Sequence, residues 1–551
     1  MVERVARALP GGSPGLIIRG MSDSTPDAGI ELVSIRWVRV QVIIDTRVAP
    51  GTAIDPRSFD LQLSGHATRF PPTHATIEDG RVSLRYNVMN GPNLDPMEPG
   101  RWTLGARVSG GNEAIDPVAS TGSFQLVDRL FTVRPVFDAS AGRLSFEVAY
   151  DTAVRRAPDP TVRARARVIV RQAGIQARRA GFRLLVWSTG LVQRRRRPQV
   201  LFASNLISEM SGNLKAVHDR MVARGLDREY DLVTILRPPG GEARGFLGRV
   251  TLARALARSD VILLDDSFPP LNWLKLGPKV RIIQMWHAAG AFKTVGYSRV
   301  GKPTEADRFA RVHKDYDAAI VSSDHDVPFY AEAFGIAEER VIPTGIPRMD
   351  RFFDERSRAA GLAAARAAFP QTVGHMTILY APTFRGVGPT NAWFDFDRLD
   401  YAALHAVAVE KDAIVIVKMH PFVTEPLAIP DAFRDRLVDG SKARLDVNDL
   451  LFAVDLLITD YSSIVFEFST LGRPMLFYAY DLDDYIGSRD FYVPFEAFVP
   501  GRIVRTFPEL VDAIRRDDYE VEKVGAFAET HFAYFDAGSS DRVIDQLVLG
   551  R

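Results

Sequence analysis

Two hydrophobic rhythms divide the chain. From Glu31 to Tyr150, apolar and polar residues alternate in short runs: 31–45, 58–63, 81–87, 101–108, 123–127 and 143–150, with Gly, Pro and Asn between them. Alternation of period two, broken by turn residues, predicts an antiparallel β-sandwich. Residues 1–150 are therefore assigned to a β-rich domain. Its first 28 residues, rich in Gly, Pro and Ser, are expected to be poorly ordered. The domain carries no constellation of acids or histidines, so a structural or spacing role is expected ahead of glycan or partner binding.

From Pro198 the rhythm changes to short, wholly apolar runs separated by helical spacing. Val200–Ala203, Leu232–Leu236, Val261–Leu264, Val280–Gln284, Ala318–Ser322 and Val341–Thr344 read as buried strands. Pro370–Gly374 interrupt the pattern. It then resumes at Thr377–Tyr380, Ala413–Met419, Leu456–Thr459 and Met475–Tyr478. Buried strands alternating with helices predict parallel, doubly wound sheets. The fold class is thus α/β, with two Rossmann-like halves at 198–370 and 371–551. Their sites are expected on loops at the strand ends, facing a shared cleft.

Residues 151–197 fit neither rhythm. No Asp or Glu occurs between Asp159 and Glu209, whereas eleven Arg do, ending in the run Arg194–Arg197. Val168, Ile175 and Phe182 recur every seven residues, followed by Leu185, Val186 and Trp187. This predicts a basic amphipathic helical linker. It suits an anionic membrane surface, with Phe182 and Trp187 inserted. A solvated interdomain helix and an RNA-binding segment are the other readings.

Composition narrows the picture little. The 551 residues include 69 Lys and Arg against 68 Asp and Glu, a net charge of +1, so overall charge names no partner. There is no cysteine, which excludes disulfides, thiolate catalysis and cysteine metal sites. No apolar segment has the length of a signal-peptide core or a membrane span, so neither is expected.

Candidate chemistry centres on Asp455–Tyr478, read as strand, tight turn at Asp460–Ser463, helix and strand. A helix beginning near Ser462 and Ser463 would aim backbone N–H groups and two hydroxyls at the sheet's carboxyl edge, an anion site suited to a diphosphate. Ordinary helix capping explains the same residues. Four other strand ends are also polar, and they bring His287, Lys293, Arg348, Thr383, Arg385, Lys418 and His420. The cations would surround a phosphorylated ligand. Asp395-Phe-Asp397 and Asp481-Leu-Asp483 have the form of metal pairs, but such triplets arise by chance, and no metal or cofactor is assigned.

These pieces resemble the CDP-glycerol glycerophosphotransferase family of teichoic-acid synthesis. The matching segments are 284–296, 345–350, 381–385, 418–421, 460–467, 473–478, 481–492 and, as a variant, 537–542. The β-rich first part lies outside the resemblance. The family implies a GT-B-type fold acting peripherally at the cytoplasmic face of the cell membrane. Its two important histidines fall on His287 and His420, its phosphate-contacting serines on Ser462 and Ser463, and its polyol- or ribose-contacting acid on Glu467. Asp460 belongs to the same matched turn. Ala288-Ala289-Gly290 stands where many polymerases of the family have Gly-Thr-Pro, a form closer to members that add the first unit. Asp490 stands where glycine is common.

The resemblance implies transfer of a polyol phosphate, glycerol phosphate first and ribitol phosphate second. The donor would be CDP-glycerol or CDP-ribitol. The acceptor would be a hydroxyl of a lipid-linked saccharide or growing polymer, with CMP released and no nucleic acid involved. His287 is assigned as general base; His420, Lys418 and Arg385 are assigned to the diphosphate. A nucleotide-sugar glycosyltransferase or epimerase of the same fold, and a catalytically silent membrane scaffold, are the alternatives.

Overall fold

A computed structural model of the protein describes residues 29–38, 40–49, 56–78, 80–88, 97–110, 114–116, 120–126, 129–151, 162–192, 197–238, 244–299, 313, 316–386, 392–482, 485 and 491–551. Arg194–Arg196, Asp483 and Asp490 lie outside these residues, as does the expectation for residues 1–28.

Among the described residues the N-terminal part contains ten strands: β1 (Ile30–Val38), β2 (Gln41–Val48), β3 (Leu61–Leu63), β4 (Arg69–Phe70), β5 (His74–Glu78), β6 (Arg81–Asn87), β7 (Gly100–Arg107), β8 (Gly122–Leu126), β9 (Arg129–Asp138) and β10 (Arg143–Asp151). They pair antiparallel in two sheets, β1-β2-β6-β5 and β4-β3-β7-β10-β9-β8. Inward residues of both sheets share one core, with Tyr86, Trp102, Phe131 and Phe146 fully buried. The single run expected at 31–45 is a hairpin, β1 pairing with β2 from Ile30↔Val48 to Val38↔Gln41. Three strands of this part were not read from the sequence. β4 has only two residues. β5 is too short and polar for its alternation to stand out, and β9 carries Pro135 and two arginines amid its apolar positions.

One continuous helix, Val162–Val192, follows. Its C-terminal part packs beside the helix Phe246–Arg258: Val186 is buried with Leu252 and Leu256, and Gly190 faces the Ala257 methyl.

Among the described residues that follow, the strands form two six-stranded parallel sheets. The first contains β11 (Gln199–Ala203), β12 (Asp231–Ile235), β13 (Val261–Leu264), β14 (Arg281–Gln284), β15 (Ala318–Ile320) and β16 (Val341–Ile342), in the order β12-β11-β13-β14-β15-β16. The second contains β17 (Met376–Tyr380), β18 (Ala413–Val417), β19 (Leu437–Asp439), β20 (Leu456–Thr459), β21 (Met475–Tyr478) and β22 (Arg502–Val504), in the order β19-β18-β17-β20-β21-β22. Runs such as Ala413–Val417 and Leu456–Thr459 are buried throughout, because helices cover both faces of a parallel sheet. The strand order reverses between β11 and β13, and again between β17 and β20. Ligands of such sheets bind outside the strand carboxyl ends at these reversals.

The C-terminal segment returns to the first half. Asp350 accepts from the backbone N–H groups of Ser539 and Ser540 at 2.9 and 2.8 Å. Arg542 donates to the Thr344 carbonyl at 2.7 Å, and Arg220 and Arg224 pair with Asp541. Gly345 has φ +78, and a Cβ there would lie 2.4 Å from Ser539 Oγ, so this crossing needs a glycine.

Candidate functional site

His287 stands three residues beyond β14. The preceding Trp286 is buried with φ 49, a left-handed conformation unusual for a bulky side chain, and it turns the chain sharply. Asn213 holds this bend. Its Nδ2 donates to the carbonyls of Met285 and Trp286 at 3.0 and 2.8 Å, and its Oδ1 accepts from the Arg348 backbone at 3.1 Å. Gln284 Oε1 accepts from the Trp286 N–H at 2.9 Å. These buried amides were not singled out from the sequence. The only local signal is the position of Asn213 where the first post-β11 helix starts.

His287 Nδ1 lies 3.2 Å from the Asp265 carbonyl oxygen. A carbonyl only accepts, so Nδ1 carries the proton and Nε2 keeps its lone pair. His287 is exposed to solvent, yet the Trp286 ring packs on its imidazole with a centroid separation of 4.3 Å. Burial therefore moves the imidazole below its ordinary range and the Arg348 charge adds to this, against the pull of Asp266. Beneath it, burial pushes the Asp265 carboxyl up to about 6, a hydrogen bond from Ser204 opposing and Asp266 reinforcing that shift. Asp265 Oδ1 has no hydrogen-bond partner.

Arg348 and Glu467 join the halves. Arg348 lies just past β16; Glu467 sits on the short helix Ile464–Ser469 after β20. Their side chains pair at 2.5 Å, both largely buried. Arg348 also acts on His287, and a Cβ on Gly290 would lie 2.3 Å from Phe466 Cε1, so the loop after His287 lies against the helix that follows the 460–463 turn. Ser463 is the exposed N-cap residue, without a side-chain cap bond, and Ser462 Oγ accepts from the Ile464 N–H at 3.3 Å. This helix has only six residues, so its dipole is small and its anion affinity rests on the local N–H and hydroxyl groups.

Thr383, Arg385 and Asp460 form a closed group at the β17/β20 reversal. Asp460 accepts from the Thr383 N–H (2.8 Å), Thr383 Oγ1 (2.9 Å), the Tyr461 N–H (2.6 Å) and Arg385 Nη1 (2.9 Å). Arg385 donates Nε and Nη2 to Asp481 at 2.5 and 2.8 Å and Nη1 to the Thr383 carbonyl at 2.8 Å. Burial works against its charge, but Asp460 and Asp481 more than offset this and hold it well above the usual range. These three side chains are thus bonded to one another and, through Arg385, to Asp481, and this group supports the turn. Asp481 is the counter-ion of Arg385. Asp395 likewise caps its own turn, accepting from the Asp397 N–H, and pairs with Arg398.

Phe384, alternating with Thr383 and Arg385, points the other way and packs on the His420 ring at 4.7 Å. His420 Nδ1 accepts from the Phe422 N–H at 3.1 Å, which leaves the proton of the neutral ring on Nε2. Lys418 donates to the Gly440 carbonyl at 3.1 Å; burial holds its ammonium below the ordinary lysine range, against Asp439 and Asp446. Lys293 lies at the seam between halves, bridged by backbone to Phe491 and 5.4 Å from the Tyr485 ring centre. Phe292 stacks there on Phe498 at 4.3 Å.

Comparison with known proteins bears on this geometry. The profile of the CDP-Glycerol:Poly(glycerophosphate) glycerophosphotransferase family matches residues 186–549. The chain is 42% identical over 376 residues to the teichoic acid ribitol-phosphate polymerase TarK of Staphylococcus aureus, covering 68% of this chain and 73% of that one. It is 36% identical over 359 residues to the teichoic acid ribitol-phosphate primase of Bacillus spizizenii, covering 63% and 90%. A structure of the wall teichoic acid polymerase TagF superposes with a TM-score of 0.54 at 22% identity, over 70% of this chain and 96% of that one, a likeness of fold.

Proposed function

The chain belongs to the CDP-glycerol:poly(glycerophosphate) glycerophosphotransferase family, and we propose that it moves a polyol phosphate from a CDP-activated donor to an acceptor hydroxyl, releasing CMP. It is a phosphotransferase of teichoic-acid biosynthesis. Both relatives named above are ribitol-phosphate enzymes, which favours CDP-ribitol over the CDP-glycerol ranked first from sequence. The acceptor is the hydroxyl end of a lipid-linked saccharide or polymer.

One observation carries the mechanism: the Asp265 carbonyl holds the His287 imidazole with the proton on Nδ1 and the lone pair on Nε2. His287 presents a bare Nε2, kept neutral by burial, and accepts the proton of the acceptor hydroxyl. That oxygen attacks the β-phosphorus. The bond from this phosphorus to the bridging oxygen breaks, and CMP leaves with the electron pair. His420, whose Nδ1 accepts from the Phe422 N–H, is assigned to the developing phosphate charge together with Lys418, Lys293 and the Ser462–Ser463 turn. Arg385, Thr383 and Asp460 hold that turn in place. Glu467 Oε2 is buried without a hydrogen-bond partner and is assigned to the polyol hydroxyls.

No helix among the described residues is long and apolar enough to cross a membrane. Peripheral docking on an anionic surface would bring the cleft to a lipid-linked acceptor. The deciding experiment measures CMP release from CDP-ribitol and CDP-glycerol, with UDP-sugars as controls, on lipid-linked acceptors. Turnover of a UDP-sugar instead would favour the glycosyltransferase or epimerase reading, and no turnover of any donor would favour the scaffold.

A further inference from the structure

Among the described residues, one group outside the cleft has the composition and spacing of a metal site. His325, Asp326 and His531 each offer one donor atom, and the three atoms lie within 4.8 Å of one another. They come from distant parts of the chain. His325 and Asp326 belong to the 3-10 turn Asp324–Asp326 beyond β15, and His531 ends the helix Glu522–His531.

Asp326 is fully buried. Its Oδ1 accepts from the Ala291 N–H at 3.2 Å, and its Oδ2 lies 3.1 Å from Ser322 Oγ, which itself donates to the Ala289 carbonyl at 2.6 Å. His531 is 4% exposed, and its Nδ1 has no hydrogen-bond partner although it sits 3.7 Å from Asp326 Oδ1. The rings of Phe466, Phe498 and Phe527, at 5.2, 5.5 and 4.4 Å, fix the plane of this imidazole. A buried polar atom left without a partner is costly, and an ion, a water or a proton is what satisfies it. His325 completes the group from the solvent side, its ring perpendicular to His531 at 5.0 Å.

We propose that His325, Asp326 and His531 bind a divalent metal ion, Zn²⁺ foremost, that ties the loop behind His287 to the C-terminal helix. Two imidazole nitrogens and one carboxylate oxygen are a zinc donor set, with a fourth position for water. The exposed His325 gives the ion a way in. The Ala291 N–H orients the carboxylate as an outer partner of a ligand does. The ion restrains Ala289 to Ala291, two to four residues after His287, so its effect is on the stability and register of that loop and not on the transfer itself. The competing state is a proton shared by His531 and Asp326 with no metal affinity.

The test is titration of the metal-free full-length chain with ZnCl₂ by calorimetry, alongside thermal melts. Saturable binding of one ion per chain is expected, with a melting temperature that rises with Zn²⁺ concentration. Outer partners alone are worth about 10–100-fold in affinity, so His325→Ala should weaken binding at least about 100-fold. His325 is exposed, and its variant should melt like wild type in chelator. His531→Gln is the second variant, and Co²⁺ in place of Zn²⁺ should give the visible absorption of a tetrahedral nitrogen–oxygen site in wild type alone. Absence of saturable binding, or an equal Zn²⁺ response in His325→Ala, overturns the site. None of these readouts uses transferase activity.

Discussion

Arg348 and Glu467, from opposite halves of the cleft, pair at 2.5 Å, and the pair leaves Arg348 Nε and Glu467 Oε2 buried without partners. Each side chain thus has one atom committed to the other and one available to a ligand. The pair also sets the field at His287, because the Arg348 charge opposes protonation there. Arg348→Gln should therefore raise the His287 pKa and move the acidic limb of the kcat/KM profile to higher pH, while lowering the melting temperature. Breaking a buried pair costs about 3–5 kcal/mol where both groups are fully buried, and less here because Arg348 is partly exposed. A pH–rate profile of this variant lying on that of wild type would remove Arg348 from the control of His287.

His287→Ala should lose about 10²–10⁴-fold in kcat while donor binding is largely kept, as for removal of a general base. The wild-type profile carries the sign. The base acts when neutral, and burial places its pKa below the ordinary 6.5, so activity should persist below that pH and fall only on further acidification. His420→Ala should lose kcat and some donor affinity together. Near-wild-type turnover by His287→Ala would mean that another group takes the proton.

Asp265 lies under the catalytic loop as a buried carboxyl with pKa raised from 3.8 to about 6. A raised carboxyl pKa contributes stability below the unfolded value and loses it as pH rises through the folded one. At pH 7 the buried charge therefore opposes folding, by up to about 3 kcal/mol at 1.36 kcal/mol per unit. Asp265→Asn keeps the backbone carbonyl that faces His287. Denaturant melts should find it more stable than wild type at pH 7 and equal near pH 4; equal stability at both would show the carboxylate is satisfied.

Gly290 accepts no side chain, since a Cβ there would lie 2.3 Å from Phe466 Cε1. Gly290→Ala should cost about 1–3 kcal/mol by overpacking and displace the loop behind His287. Phe466→Leu makes room, so the double variant should recover part of the loss. Additive melts in that cycle would show that the two positions do not touch.

The strand-end loops were legible because each follows an apolar run, and buried parallel strands advertise themselves in that way. That reasoning reaches the loop but not the direction of each side chain. Thr383, Arg385 and Asp460 looked like ligand groups, yet bond among themselves, because Asp481, ninety-six residues from Arg385, supplies the counter-charge. Local pattern carries no trace of so distant a partner, and Asp481 with Asp483 resembled a metal pair instead. Asn213 was missed for the same reason: one amide holds three backbone groups from residues 285, 286 and 348. Family resemblance located His287 and His420, but their tautomers follow from backbone neighbours that only the fold defines.

Membrane docking is the last prediction, and the fold alters which residues carry it. Phe182, expected to insert in the bilayer, instead packs edge-on against Trp273 at 5.8 Å, as the interdomain-helix reading requires. Trp187 is 62% exposed, as docking requires. Phe246 and Leu247, at the start of the neighbouring helix, are 77% and 79% exposed and were not foreseen. Arg178, Arg179, Arg244 and Arg249 line one apolar-walled hollow of about 380 Å³ between these helices, and Arg183, Lys275 and Lys279 line a second of about 870 Å³ with Trp187. Exposed aromatic and aliphatic groups ringed by cations suit an anionic bilayer, each basic residue contributing up to about 1 kcal/mol near the surface. Wild-type protein should float with anionic liposomes at low salt and be released as salt rises, since screening acts over about 10 Å at 0.1 M. Phe246→Ser with Leu247→Ser, or Trp187→Ser, should weaken flotation without changing the melting temperature. Phe182→Ser should do the reverse, lowering the melting temperature because it opens the contact with Trp273. Protein that remains at the bottom of the gradient at low salt would leave the lipid-linked acceptor to reach the cleft by another route.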